Sequence, residues 1–173
     1  MRHDQHCADP AVHQIEALGA VVQIAFVVPD LSRATAGLGA GLGVPRWLRL
    51  DDVAFTPGSC RYRGAPADFT AAVAFGMSGD LQIEVIEPRA GVSVYHEFLE
   101  RADAGGLHHV AVLPDDLDAA KARLAAAGHP IVQEGVMAGG ELRFAYVEPD
   151  GPAGLLVELL EMSTGLREYL TQA

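Results

Sequence analysis

The sequence predicts an α+β fold of two tandem βαβββ modules, and three observations predict it. A strand, a helix and three further strand-like runs can be read twice along the chain. Laying QIAFVVPDL over HVAVLPDDL pairs Gln23 with His109, Ala25 with Ala111, Asp30 with Asp116 and Leu31 with Leu117, all at an offset of 86 residues. Laying LQIEVIEP over LLVELLEM pairs Glu84 with Glu158 and Glu87 with Glu161 at an offset of 74, so the first half carries twelve more residues between its helix and its last strand. Each module alone would leave one sheet face exposed, so the two are expected to pack together.

The elements follow in order. VVQIAFVV (21–28) is the first strand, and Asp30 after Pro29 is the candidate N-cap of a helix over DLSRATAGLGAGLG. That helix places Leu31, Leu38 and Leu42 near one face. GLGAGLG lacks the G-x-G-x-x-G spacing, so it carries no dinucleotide signal. RWLRLDD (46–52), DFTAAVAFGM (68–77) and LQIEVIEP (81–88) read as strands, with GSCRYRGAP (58–66) as a loop or edge excursion. YHEFLERA (95–102) is a short helix stopped at Gly105-Gly106. GLHHVAVL is a strand and DDLDAAKARLAAAG a helix with Leu117, Ala120, Leu124 and Ala127 at helical spacing. PIVQEGVMA, LRFAYVEP and LLVELLEM complete the second set, and STGLREYLTQA is a capped helix. The expected organisation is a flexible leader (1–18), a first module (19–94), a connector helix (95–106), a second module (107–162) and a C-terminal helix (163–173).

Composition narrows the functions. Half the chain is apolar and a fifth charged, as in folded proteins. The net charge of −11 and the predicted pI near 4.9, with scattered arginines, argue against a nucleic-acid partner. No apolar run approaches the ~20 residues that span a bilayer, and the N-terminus lacks a signal-peptide core. Cys7 and Cys60 form neither a CxxC pair nor a disulfide framework, and the default location is the cytoplasm. His3, His6, His13 and Cys7 in the leader are read as parts of a mobile tail.

One residue resists a simple packing account. Glu158 interrupts the run LLVELLEM, and burying a lone carboxylate costs on the order of several kcal/mol. Strand side chains alternate between faces. Gln23, Ala25 and Val27 therefore share a face, as do Gln82, Glu84 and Ile86; His109 and Ala111; and Leu156, Glu158 and Leu160. Gln23, Glu84, His109 and Glu158 thus stand at repeat-equivalent positions as one polar set. Their donors suit a single divalent metal ion: two carboxylates balance its charge, an imidazole adds nitrogen and an amide adds a neutral oxygen. This sulfur-free shell suits Zn, Ni, Co, Mn, Mg or Fe alike.

At these residues the chain resembles the vicinal oxygen chelate superfamily, which includes glyoxalase I, methylmalonyl-CoA epimerase, extradiol dioxygenases and bleomycin-resistance proteins. QIAFVVPDL, the junction from FLE to GGLHHVAV (98–112) and FAYVEPDGPAGLLVELLE (144–161) carry the resemblance, with Pro149, Gly154 and Glu158 at the family's hairpin proline, glycine and ligand glutamate. It covers about residues 20 to 162. It implies a curved mixed sheet around one metal, with Gln23, Glu84, His109 and Glu158 as ligands, while His108, Glu87 and Glu161 have the wrong parity. The order Gln, Glu, His, Glu resembles some glyoxalase I enzymes, whereas EFLERADAGGLHHVAV is more like the epimerases.

The implied activity is a metal-dependent isomerase, epimerase or lyase that stabilises an enolate or enediolate of a small oxygenated substrate, with Glu158 or Glu84 moving the proton. Asp51 and Asp52 are the counterparts of a further epimerase acid, or an ordinary strand-end pair. Arg61, Arg63 and Arg143 could hold an anion, and Tyr95 or His96 could lie near the pocket mouth; surface placement is the default for each. The alternative is a metal-free, drug-sequestering binding protein on the same fold. Homodimerisation is common in the resembled family.

Overall fold

Strand formation at both ends of the repeat follows from β-branched residues in alternation, and each half then turns into a helix at an aspartate. The computed structural model describes residues 18–148 and 154–172. The leader histidines, Cys7 and Pro149 lie outside the described residues. Strand β1 is Val21–Val27, and Asp30 caps helix α1 (Leu31–Leu42) by accepting from the Arg33 amide at 2.9 Å. Strand β7 is Gly106–Val112, and Asp116 caps α3 (Leu117–Ala126) by accepting from the Ala119 amide at 2.9 Å. Each carboxylate satisfies an amide the helix cannot pair internally.

The remaining strands are β2 (Leu48–Phe55), β3 (Cys60–Tyr62), β4 (Ala65–Pro66), β5 (Phe69–Ser78), β6 (Leu81–Gly91), β8 (Ile131–Met137), β9 (Leu142–Val147) and β10 (Leu156–Met162). Helices α2 (Val94–Arg101) and α4 (Thr164–Leu170) follow β6 and β10. All ten strands join one mixed sheet in the order β2-β5-β6-β1-β7-β10-β9-β8-β3-β4, curved into a half-barrel. The repeated elements meet where β1 runs antiparallel to β7, while β6 lies parallel to β1 and β10 parallel to β7. The first and last strand of each half therefore occupy the centre of the sheet.

Three local expectations are sharpened or corrected. The 58–66 excursion does lie at the sheet edge, as the short strands β3 and β4 joined by turns, but that edge belongs to the other half: Cys60, Arg61 and Tyr62 pair with Gly135, Glu134 and Gln133 of β8. Strand β2 does not stop at Asp52. A bulge between Leu50 and Val53 carries it on to Phe55 and leaves both aspartates exposed within the edge strand. Leu31 is buried against the sheet, but Leu42 at the helix end is exposed.

Burial divides the sheet faces. Helix α1 covers the outer face through Val28, Leu31, Ala72, Ala74 and Val85, and α3 covers it through Val112, Leu117, Leu124, Val157 and Leu159. The inner face holds an aromatic core in which Phe55 stacks on Phe69 at 4.3 Å and meets Phe144 edge-on at 6.1 Å. Such pairs are worth about 0.5–1.5 kcal/mol each beyond burial. Tyr95 of α2 joins that core, so α2 lies over the inner face. Gly105 sets the entry into β7. Its φ is +75°, and an added Cβ would stand 2.5 Å from the Val27 carbonyl oxygen, a position only glycine fills without strain. Among the described residues no helix is long and apolar enough to cross a membrane.

Candidate metal centre

Register places the four predicted residues on one face. Ala25 is flanked by Glu84 on β6 and His109 on β7, and Ala111 is flanked by Gln23 on β1 and Glu158 on β10. Two adjacent rows therefore cross the central strands, each with an alanine between its polar residues. Neither alanine is exposed, and their single methyl groups leave space for longer side chains to converge.

Glu84, His109 and Glu158 do converge. One ligand atom from each lies within 4.8 Å of the others, and all three residues are buried. His109 Nε2 stands 3.4 Å from Glu84 Oε2 and 3.2 Å from Glu158 Oε2. Despite these distances, Nε2 has no aligned hydrogen-bond partner among the described residues, and Gln23 Oε1 is likewise buried and unpartnered among them. Orphaned buried polar atoms are costly and uncommon. Three ligand atoms gathered within 4.8 Å, from a donor set of two carboxylates and an imidazole, suit a divalent cation.

The electrostatics point the same way. Burial pushes the Glu84 carboxyl upward, His109 opposes this and the Glu158 charge adds to it. Burial alone would lower His109; the Glu158 and Glu84 carboxylates overcome it and raise the imidazole to about 9. Without an ion, a proton on His109 provides the positive charge the carboxylates require. A divalent cation would displace that proton.

The surroundings are aromatic. The Tyr146 ring lies 4.8 Å from the His109 ring, and the Tyr95 and Tyr146 hydroxyls are 2.8 Å apart. Burial, followed by the charges of Glu84 and Glu158, pushes both phenols well above their usual range, so they remain neutral hydrogen-bonding groups.

His108 departs from its predicted parity. Ala25 pairs with His109 and Phe26 with Leu107, which leaves His108 unpaired in a β-bulge. A bulge resets alternation. Its ring packs against those of Tyr95, Phe98 and Tyr146, and its Nδ1 lies 2.9 Å from Nδ1 of His109. Burial and then the His109 ring push His108 well below the histidine range. It is a neutral neighbour able to accept the Nδ1 proton of His109, which leaves Nε2 as the His109 atom facing Glu84 and Glu158.

Gln82 is the second residue the motif reading left unused. Gln23 Nε2 donates to Gln82 Oε1 at 2.8 Å, and Gln82 Nε2 donates to the Leu170 carbonyl at 3.3 Å. The other candidates are engaged elsewhere. Arg61 donates to the Gly64 carbonyl, Arg63 makes two bonds to Glu97, and Arg143 bridges Asp118 and Glu161. Tyr95 belongs to the buried core rather than a pocket mouth, and His96 bonds Ser93. Asp51 and Asp52 lie on the edge strand, away from the centre. A cavity of about 460 Å³ opens beside His108, lined also by Val94, Phe98, Val132, Leu156 and Arg63.

Known proteins match this architecture. The profile of the glyoxalase/bleomycin resistance protein/dioxygenase superfamily matches residues 22–147. The chain is 30% identical over 149 residues to an ethylmalonyl-CoA/methylmalonyl-CoA epimerase of Cereibacter sphaeroides, covering 82% of this chain and 97% of that protein. It is 27% identical over 155 residues to a mitochondrial methylmalonyl-CoA epimerase of Bos taurus, covering 87% and 78%. Methylmalonyl-CoA epimerase from Mycobacterium tuberculosis superposes with a TM-score of 0.59 at 22% identity, over 86% of this chain and 91% of that one. A hypothetical protein from Bacillus halodurans gives a TM-score of 0.61 at 20% identity, over 83% and 94%. These two structural likenesses speak to the fold. With the repeated strands, the half-barrel and the profile match in agreement, this chain belongs to the glyoxalase/bleomycin resistance protein/dioxygenase superfamily.

Proposed function

We propose that the protein is a divalent-metal-dependent isomerase that epimerises a carbon α to a carbonyl, with a 2-substituted acyl thioester as its substrate. The carrying observation is the pair of buried carboxylates, Glu84 and Glu158, one from each half, both within 3.4 Å of His109 Nε2. Gln23, Glu84, His109 and Glu158 would hold the cation. When bound, it supplies Lewis-acid stabilisation of negative charge on the substrate carbonyl oxygen.

The chain's own residues perform the proton transfers. One carboxylate, Glu158 or Glu84, takes the α-proton as the C–H bond breaks and its electron pair moves toward the carbonyl. The other, which enters the step carrying a proton, gives it to the opposite face, so one carboxyl is protonated and one ionised both before and after the step. Burial raises Glu84, which brings a carboxyl closer to the proton affinity that general acid–base work requires. The cavity beside His108 is lined by none of the four proposed ligands, so it would hold the substrate's body next to the centre, across the His108 ring. The epimerase relative at 30% identity supports this chemistry.

The test is α-proton exchange in heavy water, followed by NMR across a panel of 2-substituted acyl-CoA thioesters. Metal-loaded wild type is expected to introduce deuterium at the α-carbon, and Glu158→Gln to lose this by at least about 100-fold, within the range of general acid–base contributions. Absence of exchange across the panel would overturn the epimerase reading and favour a binding protein on this fold.

A further inference from the structure

The C-terminal helix is tied to the candidate metal centre through a single amide chain. Its origin is the Leu170 carbonyl near the end of α4, which can only accept. The Gln82 atom facing it at 3.3 Å must therefore be the amide nitrogen. This turns Gln82 Oε1 toward Gln23, and the Gln23 atom facing that oxygen at 2.8 Å must in turn be nitrogen. Only Oε1 of Gln23 remains, and it is buried with no partner among the described residues. Each link fixes the polarity of the next.

We infer that Gln82 is a positioning residue that makes Gln23 present its carbonyl oxygen to the cation, and that docking of α4 and cation binding reinforce each other through it. The inference rests on the proposal that Gln23 is a ligand. An amide free to rotate can offer either face. With its NH₂ turned inward it would aim a positive dipole at the cation; with its oxygen inward it coordinates. Gln82 removes that choice, as partners behind metal ligands generally do. The anchor is itself firm: Leu170 and Gln82 are 6% and 8% exposed. Coupling between sites is reciprocal, so anything that holds α4 in place favours the cation and the cation favours the docked helix.

The backbone repeat shows why this device is needed in the first half. β1 has its own bulge: Val21 pairs with Val112 and Gln23 with Ala111, leaving Val22 unpaired. Val22 is the repeat equivalent of His108, and a valine can neither donate to nor accept from a neighbouring ligand. The orienting group for Gln23 comes instead from the adjacent strand.

Titration with Co²⁺, read by its visible absorption, and amide hydrogen exchange over residues 164–172 test this without recourse to turnover. In wild type, Co²⁺ should slow exchange in α4. Gln82→Met, which preserves length but removes both hydrogen-bonding groups, should weaken Co²⁺ binding about 10–100-fold and abolish that protection. Leu170→Ala, which loosens the helix that holds Gln82's acceptor while keeping both glutamine side chains, should weaken binding in the same direction. Unchanged Co²⁺ affinity in Gln82→Met, or wild-type α4 exchange indifferent to bound Co²⁺, would overturn the inference while leaving the metal centre standing. A wild type that binds no divalent ion would overturn both.

Discussion

The two halves of the molecule use the same backbone device and finish it with different chemistry. Val22 and His108 are repeat equivalents, and each is the unpaired residue of a β1–β7 bulge immediately before a site residue. In the second half the bulge carries an imidazole, whose Nδ1 lies 2.9 Å from that of His109. In the first half it carries valine, and Gln23 is held from the neighbouring strand by Gln82 instead. The comparison teaches that a repeated backbone can fix where a candidate ligand stands, while what fixes its orientation is supplied separately in each half.

The largest expected effect separates the halves by proton sensitivity. The imidazole of the second half must lose its proton to bind a cation, whereas the amide of the first has none to lose. His109 is raised to about 9 in the ion-free protein, so it is protonated below that pH. Cation affinity should therefore rise about tenfold per pH unit up to about pH 9 and flatten above it. Calorimetric titrations in buffers of different ionisation enthalpy should show close to one proton released per ion near neutral pH. A flat affinity between pH 7 and 9 would break the assignment of the proton to His109.

The bulge residues come next. His108→Leu removes the acceptor behind His109 and should weaken cation binding about 10–100-fold. Val22→Ala should leave that affinity within about twofold, since Val22 orients nothing. Equal losses at the two positions would mean that both bulges act through packing alone, and the contrast between the halves would fall.

The smallest effect tests the symmetry itself. Asp30 and Asp116 cap their helices through the same contact at 2.9 Å. Asp30→Ala and Asp116→Ala should each cost about 1 kcal/mol in chemical denaturation. A cap that costs nothing in one half would show that helix to be held by packing on the sheet rather than by its start.

Much of this was legible in the chain. Alternation places Glu84 and Glu158 because their strands are regular near those residues, it places Gln23 with Ala25 and Val27 because the β1 bulge lies before all three, and the offset of 86 residues exposes the repeated caps. His108 was illegible for the opposite reason. A bulge inserts one residue into the period, and nothing in GLHHVAVL marks which histidine is the extra one. The crossing of β3 to β8 was also hidden, because Cys60 and Gly135 are local neighbours only in space. Gln82 was half visible: parity gives its face, but its bond to the Leu170 carbonyl depends on where a distant helix docks. Arg63 and Arg143 offered charge to a substrate until the fold placed Glu97, Asp118 and Glu161 beside them.

The central claim is that Glu158 is accommodated in a buried strand because a cation meets it. The most direct test is the metal content of the purified protein by mass spectrometry after reconstitution with divalent ions, wild type beside Glu158→Ala. The account predicts close to one divalent ion per chain in wild type and its loss in the variant. No bound ion in wild type, or the same ion retained by both, would contradict it.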